Sequence, residues 1–346
     1  MKANPPPGEQ LGDFCGWTFG VRHWIFIFSA MTLDLFKDEG EVMLSKPTHR
    51  EYLYVGTTSW KYDSWRGLIY PEKPDLKEEG YLQYYSRYYN TVEIDQYFWS
   101  LFPPEYAKMP DRKQVQWYVE QVPDDFRFTV KAPNSITLTH FYKQQSPKYS
   151  EYAGKENPYG FLNTDLWEQF WENLSPMRSQ IGAVVLQFSY LNKSMMSGLP
   201  EFLEKLAAFL EALDPGIPLA IESRNPNYLN RKYFEFLKAR DIPHVYLSGY
   251  YMPPPVELYR KYGNTGRFTV FRLHGEDRKG IEGETGKDWN TIVRRHDKEL
   301  ADLADIAGDE LRLERDVYLD INNHYEGSAP LSIERFYKLF PNRDTS

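Results

Sequence analysis

The sequence is poor in the features that mark secreted and membrane proteins. Its 346 residues contain one cysteine, Cys15, and a single thiol cannot build an internal disulfide framework. The apolar run at 24–31 is too short to span a bilayer, and the residues at 31–34 make a poor cleavage site for a secretory signal. The sequence therefore predicts a protein of the reducing cytoplasm without a membrane anchor.

The sequence also has fewer basic residues than acidic ones. Lys and Arg together number 41 against 49 Asp and Glu, so the formal net charge is -8. This balance argues against broad electrostatic binding of nucleic acid, although a local basic groove can coexist with an acidic whole. Any anion-binding site must therefore be local.

Several short catalytic signatures are absent from the sequence. It has no Gly-x-Ser-x-Gly nucleophile elbow and no Walker phosphate loop. No Gly-x-Gly-x-x-Gly turn follows the first predicted strand, which disfavours a doubly wound dinucleotide-binding sheet. The sequence does not identify a cofactor. It supports a divalent metal only weakly, because it has no His-x-x-x-His or comparable ligand spacing. Its candidate ligands are His140, His274, Glu93, Glu222 and Asp320.

What the sequence does contain is a regular alternation of strand-like and helix-like segments. The predicted strands are 52–58, 91–94, 127–132, 181–188, 218–223, 244–247, 267–273 and 316–322. The predicted helices are 80–89, 104–122, 164–178, 199–213, 229–241, 256–262, 289–311 and 330–340. Eight strand-helix units in succession predict a single (β/α)8 TIM-type barrel.

The first part of the chain differs from the rest. Residues 1–45 begin with the structureless run Pro5-Pro6-Pro7-Gly8, and we predict an N-terminal extension that is poorly ordered or outside the barrel. A start codon assigned too far upstream, with Met31 or Met43 as the true beginning, would explain the same composition. The barrel domain is predicted to occupy 46–346.

Polar and ionisable residues stand at the ends of seven of the eight predicted strands. Functional residues of TIM-type barrels lie at these carboxyl ends. In four strands two such residues are spaced by two, which points both side chains to one face; they are Glu93/Asp95, Glu222/Arg224, Arg272/His274 and Asp320/Asn322. The candidate catalytic residues are Glu93, Glu222 and His274. The candidate substrate-binding residues are Trp60, Asp95, Lys131, Gln187, Arg224, Arg272, Asn322 and Asn323. Buried charges need partners in any fold, so the structural alternative is that Glu222, Arg224 and Arg272 form a buried ion-pair network that merely closes the barrel.

The residues around the last two strands indicate an anion. Barrels often hold phosphate with the loops after strands seven and eight and a helix N-terminus. The candidate backbone donors are Gly275, Gly280, Gly283, Gly286 and the segment Gly327-Ser328-Ala329-Pro330. We therefore predict binding and turnover of an anionic or phosphorylated small molecule or phosphoester, with Glu93 or Glu222 as general base and His274 as acid or electrophile. The sequence is compatible with hydrolysis and with isomerisation.

Two other classes of function are open. Paired carboxylates, Glu93 and Glu222, near Trp60, Trp65, Tyr97 and Trp99 are compatible with a glycoside-processing enzyme. A non-enzymatic nucleic-acid or regulatory module is the other alternative, since the long loop after the third strand interleaves cations with aromatic rings. The residues concerned are Lys143, Lys148, Lys155, Tyr142, Tyr149, Tyr152 and Tyr159.

An ordered set of motifs at these strand ends resembles the DUF72 family, also called the YecE-like family. The motifs are Gly56-Thr57-Thr58-Ser59-Trp60, Trp65-Arg66-Gly67, Val92-Glu93-Ile94-Asp95, Lys131-Ala132-Pro133, Gln187, Glu222-Ser223-Arg224-Asn225, Arg272-Leu273-His274-Gly275 and Asn322-Asn323. The resemblance covers about 52–340 and implies a TIM barrel without a settled activity. Two departures stand out: Ser59 occupies a usual glycine position, and Asp95 a usual asparagine position.

Overall fold

The eight predicted strands are all present in the computed structural model, which describes residues 43–72 and 80–340. They form one parallel sheet of strands β1 Leu53–Thr58, β2 Thr91–Ile94, β3 Arg127–Lys131, β4 Ile181–Phe188, β5 Leu219–Ser223, β6 Val245–Ser248, β7 Thr269–Leu273 and β8 Val317–Ile321. The order along the sheet is β5-β4-β3-β2-β1-β8-β7-β6.

The two edge strands, β5 and β6, meet and nearly close the barrel. A parallel bridge joins Ile221 to His244, and the Ile221 amide donates to the Pro243 carbonyl at 2.9 Å. The predicted TIM-type barrel is thus confirmed. Each strand end lies within two residues of its predicted position.

The strands read as apolar runs because both of their faces are covered. All eight residues of β4 are buried. A buried cluster joins β4 to β8 inside the fold and consists of Ala183, Val185, Ala220, Val245, Phe268, Val270 and Tyr318. Gly182 makes room for one of its rings, since a Cβ there would lie 2.4 Å from the Tyr318 ring.

Helices surround this sheet. Their bounds are Tyr81–Tyr85, Arg112–Glu120, Asn134–Thr137, Thr164–Asn173, Leu199–Glu211, Arg231–Lys238, Pro255–Tyr262, Arg278–Thr285, Asp297–Leu311 and Ala329–Leu339. Four of them begin with side-chain caps that accept hydrogen bonds from free backbone N–H groups, namely Asp111, Asn163, Asn230 and Asp277. In these described ranges, no helix is both long and apolar enough to cross a bilayer.

Two predicted helices begin later than the sequence indicated. The segment before Arg112 is instead a short antiparallel ribbon of Leu101–Phe102 and Tyr106–Ala107, because Pro103, Pro104 and Pro110 lack the N–H that a helix interior needs. The helix predicted to start at residue 289 starts at Asp297. Of the predicted extension at 1–45, residues 1–42 lie outside the described residues.

The prediction of a glycine-rich loop after β7 is wrong. The segment contains the helix Arg278–Thr285, with Gly280 and Gly283 inside it. The Gly280 amide donates to the Asp277 carboxylate at 3.0 Å, and the other oxygen of that carboxylate accepts from Arg294 at 2.9 Å. At the last helix, the Ala329 amide donates to the Asn323 side chain at 2.9 Å. Side chains of the protein therefore hold two of the amides that were expected to bind phosphate.

Candidate functional site

A fully buried arginine from β7 stands at the centre of the strand-end residues. Arg272 donates through Nε and Nη2 to the two carboxylate oxygens of Glu93, with Nη2 to Oε1 at 2.7 Å. Its Nη1 donates to Glu222. Neither carboxylate belongs to a strand beside β7, so the guanidinium links β7 to β2 and β5. This planar fork matches carboxylate geometry and binds both partners at once.

The network continues from Glu222 toward the barrel mouth. Arg224 donates through Nε to Glu222 at 2.8 Å and through Nη2 to Gln187 at 2.7 Å. The Arg224 side chain is 19% exposed, whereas Glu222 is fully buried. Burial opposes ionisation of Glu222, but Arg272 and Arg224 outweigh it and lower its pKa to about 2. Glu222 is therefore ionised at every physiological pH.

Lys131, at the end of β3, has very different surroundings. Its side chain is buried, and Nζ lies 3.9 Å from the centroid of the Phe98 ring. In the part of the chain that the structure describes, no carboxylate lies within 4.0 Å of this ammonium and it donates no hydrogen bond. Burial and the nearby Arg272 lower the pKa of Lys131 to about 8, although Glu93 and Glu222 act in the opposite direction.

His274 lies beside these cations at the end of β7. Burial lowers its pKa well below the usual value, and Arg272 and Arg224 lower it further, so the imidazole is neutral at pH 7. Its Nε2 is buried and has no hydrogen-bond partner among the described residues. The neutral ring can therefore accept or donate a proton toward a ligand, depending on its tautomer.

The two other carboxyl groups at the strand ends, Asp320 and Asp95, have raised pKa values. Burial and the neighbouring Glu93 raise the pKa of Asp320 well above its usual value, and Thr129 makes only a long contact to it at 3.5 Å. Burial and Glu93 also raise the pKa of Asp95. In both cases burial is the larger cause, and repulsion from the nearby Glu93 adds to it.

Close backbone contacts shape the mouth above His274. A Cβ on Gly249 would lie 2.1 Å from the Gly275 carbonyl oxygen, and one on Gly275 would lie 2.4 Å from the His324 carbonyl oxygen. The loops after β6, β7 and β8 are therefore packed backbone to backbone, which only glycine permits. This packing places Tyr250 with its ring centroid 4.1 Å from the Arg224 guanidinium carbon and 5.5 Å from the His274 ring.

Two tyrosines near the site were not predicted from the sequence. Tyr250 follows Gly249 in a left-handed backbone conformation, with φ of 54°, and loop tyrosines carry no periodic signal. Tyr62 is the other: burial, Asp95 and Glu93 raise its pKa, so its hydroxyl stays protonated close to those carboxyl groups. The turn that leads to it begins at Ser59, whose amide donates to the Glu93 carbonyl at 3.0 Å.

Three candidate binding residues have structural partners of their own. Trp60 is 2% exposed and packs edge-on against Tyr118, with centroids 5.1 Å apart. Asn322 accepts a hydrogen bond from the His324 amide at 2.9 Å. Asn323 accepts the Ala329 amide described above, while its Nδ2 is buried without a partner within the described ranges. The other candidates belong to the ionic network or lie beside it.

The alternatives raised by the sequence gain little geometric support. Within residues 43–72 and 80–340, no group of three or more His, Cys, Asp or Glu side chains is arranged to hold a metal ion. In the long loop, Lys148 lies 5.0 Å from the Tyr149 ring and Lys155 lies 4.7 Å from the Tyr152 ring. These cations are thus already placed over the aromatic faces that would stack on bases.

Comparisons with known proteins agree with the architecture. The family model described as "Protein of unknown function DUF72" matches residues 54–345. A DUF72 family protein from Enterococcus faecalis V583 is 22% identical, with a TM-score of 0.56 over 85% of this chain and 97% of its own. A DUF72 family protein from Thermotoga maritima MSB8 is 23% identical, with a TM-score of 0.55 over 83% of this chain and 98% of its own.

Among curated proteins, none matches this chain. At identities near 22%, the likeness to the solved structures shows the fold alone. The family model, in contrast, spans most of the sequence, and it agrees with the ordered strand-end motifs. The chain therefore belongs to the DUF72 family.

Proposed function

We propose that this DUF72 protein is an enzyme that binds an anionic small molecule, such as a phosphorylated metabolite or phosphoester, at the carboxyl ends of its barrel strands. The observation that carries the proposal is an imbalance of charge. Three cations, Lys131, Arg224 and Arg272, lie near only two carboxylates that form ion pairs. Arg272 binds both Glu93 and Glu222, and Arg224 binds Glu222. The excess positive charge lies at Lys131 and at the partly exposed Arg224.

A buried cation without a counterion is costly. Burying an unpaired charge costs several kcal/mol in proteins, on the order of the whole stability of some domains. Lys131 is 7% exposed and has no ion-pair partner among residues 43–72 and 80–340, while the pKa values of Asp320 and Asp95 are raised. A bound anion would supply the missing negative charge, and a phosphate or carboxylate matches the donors of Arg224.

The role of each side chain in the proposed site follows from which of its polar atoms already form hydrogen bonds within the protein. Both oxygens of Glu93 and of Glu222 accept hydrogen bonds from arginine, and a carboxylate with a pKa of about 2 is a weak base. These two glutamates therefore hold Arg272 and Arg224 in position. His274 is neutral, and its buried Nε2 has no partner in the described part of the chain, so it is the group we assign to proton transfer.

The same contacts disfavour glycoside chemistry. A glycosidase needs one protonated carboxyl group and space for the scissile bond between the two acids. Here the Arg272 guanidinium lies between Glu93 and Glu222 and binds both. Both oxygens of each glutamate already accept hydrogen bonds from arginine, so neither is placed to protonate a leaving group.

Thermal unfolding in the presence of phosphorylated metabolites tests the proposal. Each compound is paired with its dephosphorylated counterpart at pH 7, so that only the anionic group differs. A ligand at about 100 times its Kd stabilises the native state by about 3 kcal/mol, which corresponds to a rise in Tm of about 5 °C. At least one anion is expected to raise Tm while its neutral counterpart does not.

Substitutions locate the binding site. Arg224→Gln and Lys131→Met are expected to abolish the anion-dependent rise. Arg231→Gln serves as the matched control, because this arginine also pairs with a glutamate but its side chain is 87% exposed on a helix. If no anion raises Tm above its neutral counterpart, or if the rise persists in both variants, the proposal is wrong.

A further inference from the structure

Lys131 has the surroundings of a reactive amine. We propose that it is a covalent catalyst, whose amine attacks the carbonyl carbon of a ketone or aldehyde substrate while Arg224 holds the anionic group of the same molecule. This inference rests on the proposed function and narrows its substrate class to anionic carbonyl compounds. It also assigns to Lys131 a role in bond formation rather than in charge pairing alone.

The position of the side chain supports this role. Lys131 ends strand β3, and the carboxyl ends of barrel strands are where such folds hold reacting groups. The face of Phe98 covers Nζ at 3.9 Å, and within the described ranges no carboxylate or hydrogen-bond acceptor holds the ammonium. A buried lysine with a purely structural role would be expected to donate a hydrogen bond to a carboxylate or another acceptor.

Arg272 contributes a fixed neighbouring charge. Its guanidinium is locked by Glu93 and Glu222, so it can neither move away from Lys131 nor be neutralised by loss of a proton. Desolvation together with an adjacent cation is a known way to activate a lysine nucleophile. In agreement, the pKa of Lys131 falls to about 8, which leaves a usable share of free amine near neutral pH.

The reaction balances with groups that are present in the site. The free amine donates its lone pair to the carbonyl carbon, and the carbonyl oxygen takes up a proton to give a carbinolamine. The nitrogen then loses a proton, the hydroxyl group takes one up and leaves as water, and an iminium ion remains. His274, whose Nε2 has no partner within the ranges that the structure describes, is assigned to these proton transfers. Hydrolysis of the iminium ion restores Lys131.

An iminium ion has a direct chemical use. Its positive nitrogen accepts the electron pair that remains when a proton leaves the adjacent carbon, and this makes the proton loss easier. Return of that proton at another position gives an isomerised product without any redox partner. The chemistry therefore fits an enzyme whose site offers a neutral base and fixed cations.

Trapping with borohydride tests the proposal. The probes are dihydroxyacetone phosphate and its neutral counterpart dihydroxyacetone, each added to the full-length protein before sodium borohydride, which reduces an imine to a stable amine. Peptide mass spectrometry then locates the adduct. We expect the phosphorylated probe to label Lys131 at least tenfold faster than the exposed Lys148 and Lys155, and the rate to rise as the pH increases through about 8.

Variants separate this proposal from simple anion binding. Lys131→Arg keeps the positive charge and is expected to lose the adduct while retaining an anion-dependent rise in Tm. Arg224→Gln is expected to lose the preference for the phosphorylated probe. Equal labelling of Lys131, Lys148 and Lys155, or no adduct on Lys131 although dihydroxyacetone phosphate raises Tm, overturns the imine and leaves anion binding standing. Labelling of Lys131 at equal rates by both probes overturns the role of Arg224.

Discussion

Arg272 and Glu93 form a two-pronged ion pair in which both side chains are completely buried. The pair joins strands that are not neighbours in the sheet, since β7 lies between β6 and β8. The third donor of the same guanidinium binds Glu222, so one side chain fixes two carboxylates from opposite parts of the barrel. Stability and the shape of the candidate site therefore depend on the same contacts.

Glu93→Gln is predicted to destabilise the protein strongly. Removing one partner of a buried ion pair leaves the other charge uncompensated, which costs about 3–5 kcal/mol. Urea unfolding measures the loss of free energy. Glu235→Gln, which removes an exposed partner of Arg231, is the control and is expected to leave the unfolding free energy unchanged within error. A loss below about 1 kcal/mol for Glu93→Gln would contradict a tight buried pair.

Stability is predicted to fall in acid because of Glu222. Its pKa is lowered from the usual 4.5 to about 2, so the folded state holds the charged form more firmly than the unfolded state does. The stabilisation is fully present above pH 4.5 and is lost as the pH falls through about 2, where the folded carboxylate takes up its proton. Unfolding free energies of the wild type and of Glu222→Gln between pH 6 and pH 2 provide the test. Equal slopes in this window would show that Glu222 is not the titrating group.

Much of the fold could be predicted because its signal is local. Short apolar strands alternate with amphipathic helices, and eight repeats of this unit are diagnostic of a barrel. Helix Arg278–Thr285 was missed because Gly280 and Gly283 weaken helix propensity, while the cap at Asp277 outweighs them. The sequence does contain a start signal for this helix, the N-cap residue Asp277, whose side chain accepts from the amide of Gly280. The two glycines that follow made this signal look like part of a loop.

The candidate site was predictable in part, for a physical reason. Arg272 and His274 are two residues apart along a strand, so their side chains point to the same face of the sheet. Both side chains are buried at the end of β7. The ion pairs of Glu222 with Arg272 and Arg224 agree with the network expected from the sequence. The pairing of Arg272 with Glu93 was not predicted, because it depends on packing across the barrel. Tyr250 was missed since its position depends on a close contact between Gly249 and Gly275, which has no local pattern.

Ser59→Gly is predicted to stabilise the protein. Ser59 has a φ of 64°, a left-handed conformation that costs a residue with a Cβ about 1 kcal/mol relative to glycine. The gain should appear in urea unfolding. Ser86→Gly is a matched control, because Ser86 has a φ of -67° and glycine there only adds freedom to the unfolded chain. Destabilisation by Ser59→Gly would mean that the serine side chain itself supports the turn.

Gly249→Ala is predicted to disturb the mouth of the barrel. Its φ is 107°, and the added Cβ would meet the Gly275 carbonyl at 2.1 Å, so strain and a steric clash together cost about 3 kcal/mol. Gly263→Ala is the control, since its φ is also positive, at 66°, but no atom of the described residues lies within 4 Å of the new Cβ. Urea unfolding should show a clearly larger loss for Gly249→Ala, together with loss of any anion-dependent rise in Tm. Equal losses for both variants would rule out a tight contact between the two loops.

Lys131→Met is predicted to make the protein more stable while it removes function. The pKa of this lysine is lowered from 10.5 to about 8, so the unfolded state binds the proton more tightly than the folded state. Unfolding free energy should therefore rise between pH 8 and pH 10.5, where the folded lysine has lost its proton and the unfolded one has not. The substitution by methionine removes the buried charge. The free energy of unfolding of the variant at pH 7 should therefore exceed that of the wild type by up to about 3 kcal/mol.

The control for this prediction is Lys148→Met at an exposed position, which should change neither stability nor its dependence on alkaline pH. Residues retained at a cost in stability are those that function requires. If Lys131→Met abolishes anion binding and borohydride trapping and at the same time raises the urea midpoint, the lysine is not a structural cation. A lower urea midpoint in Lys131→Met than in the wild type would instead show that its charge supports the fold through Glu93 and Glu222.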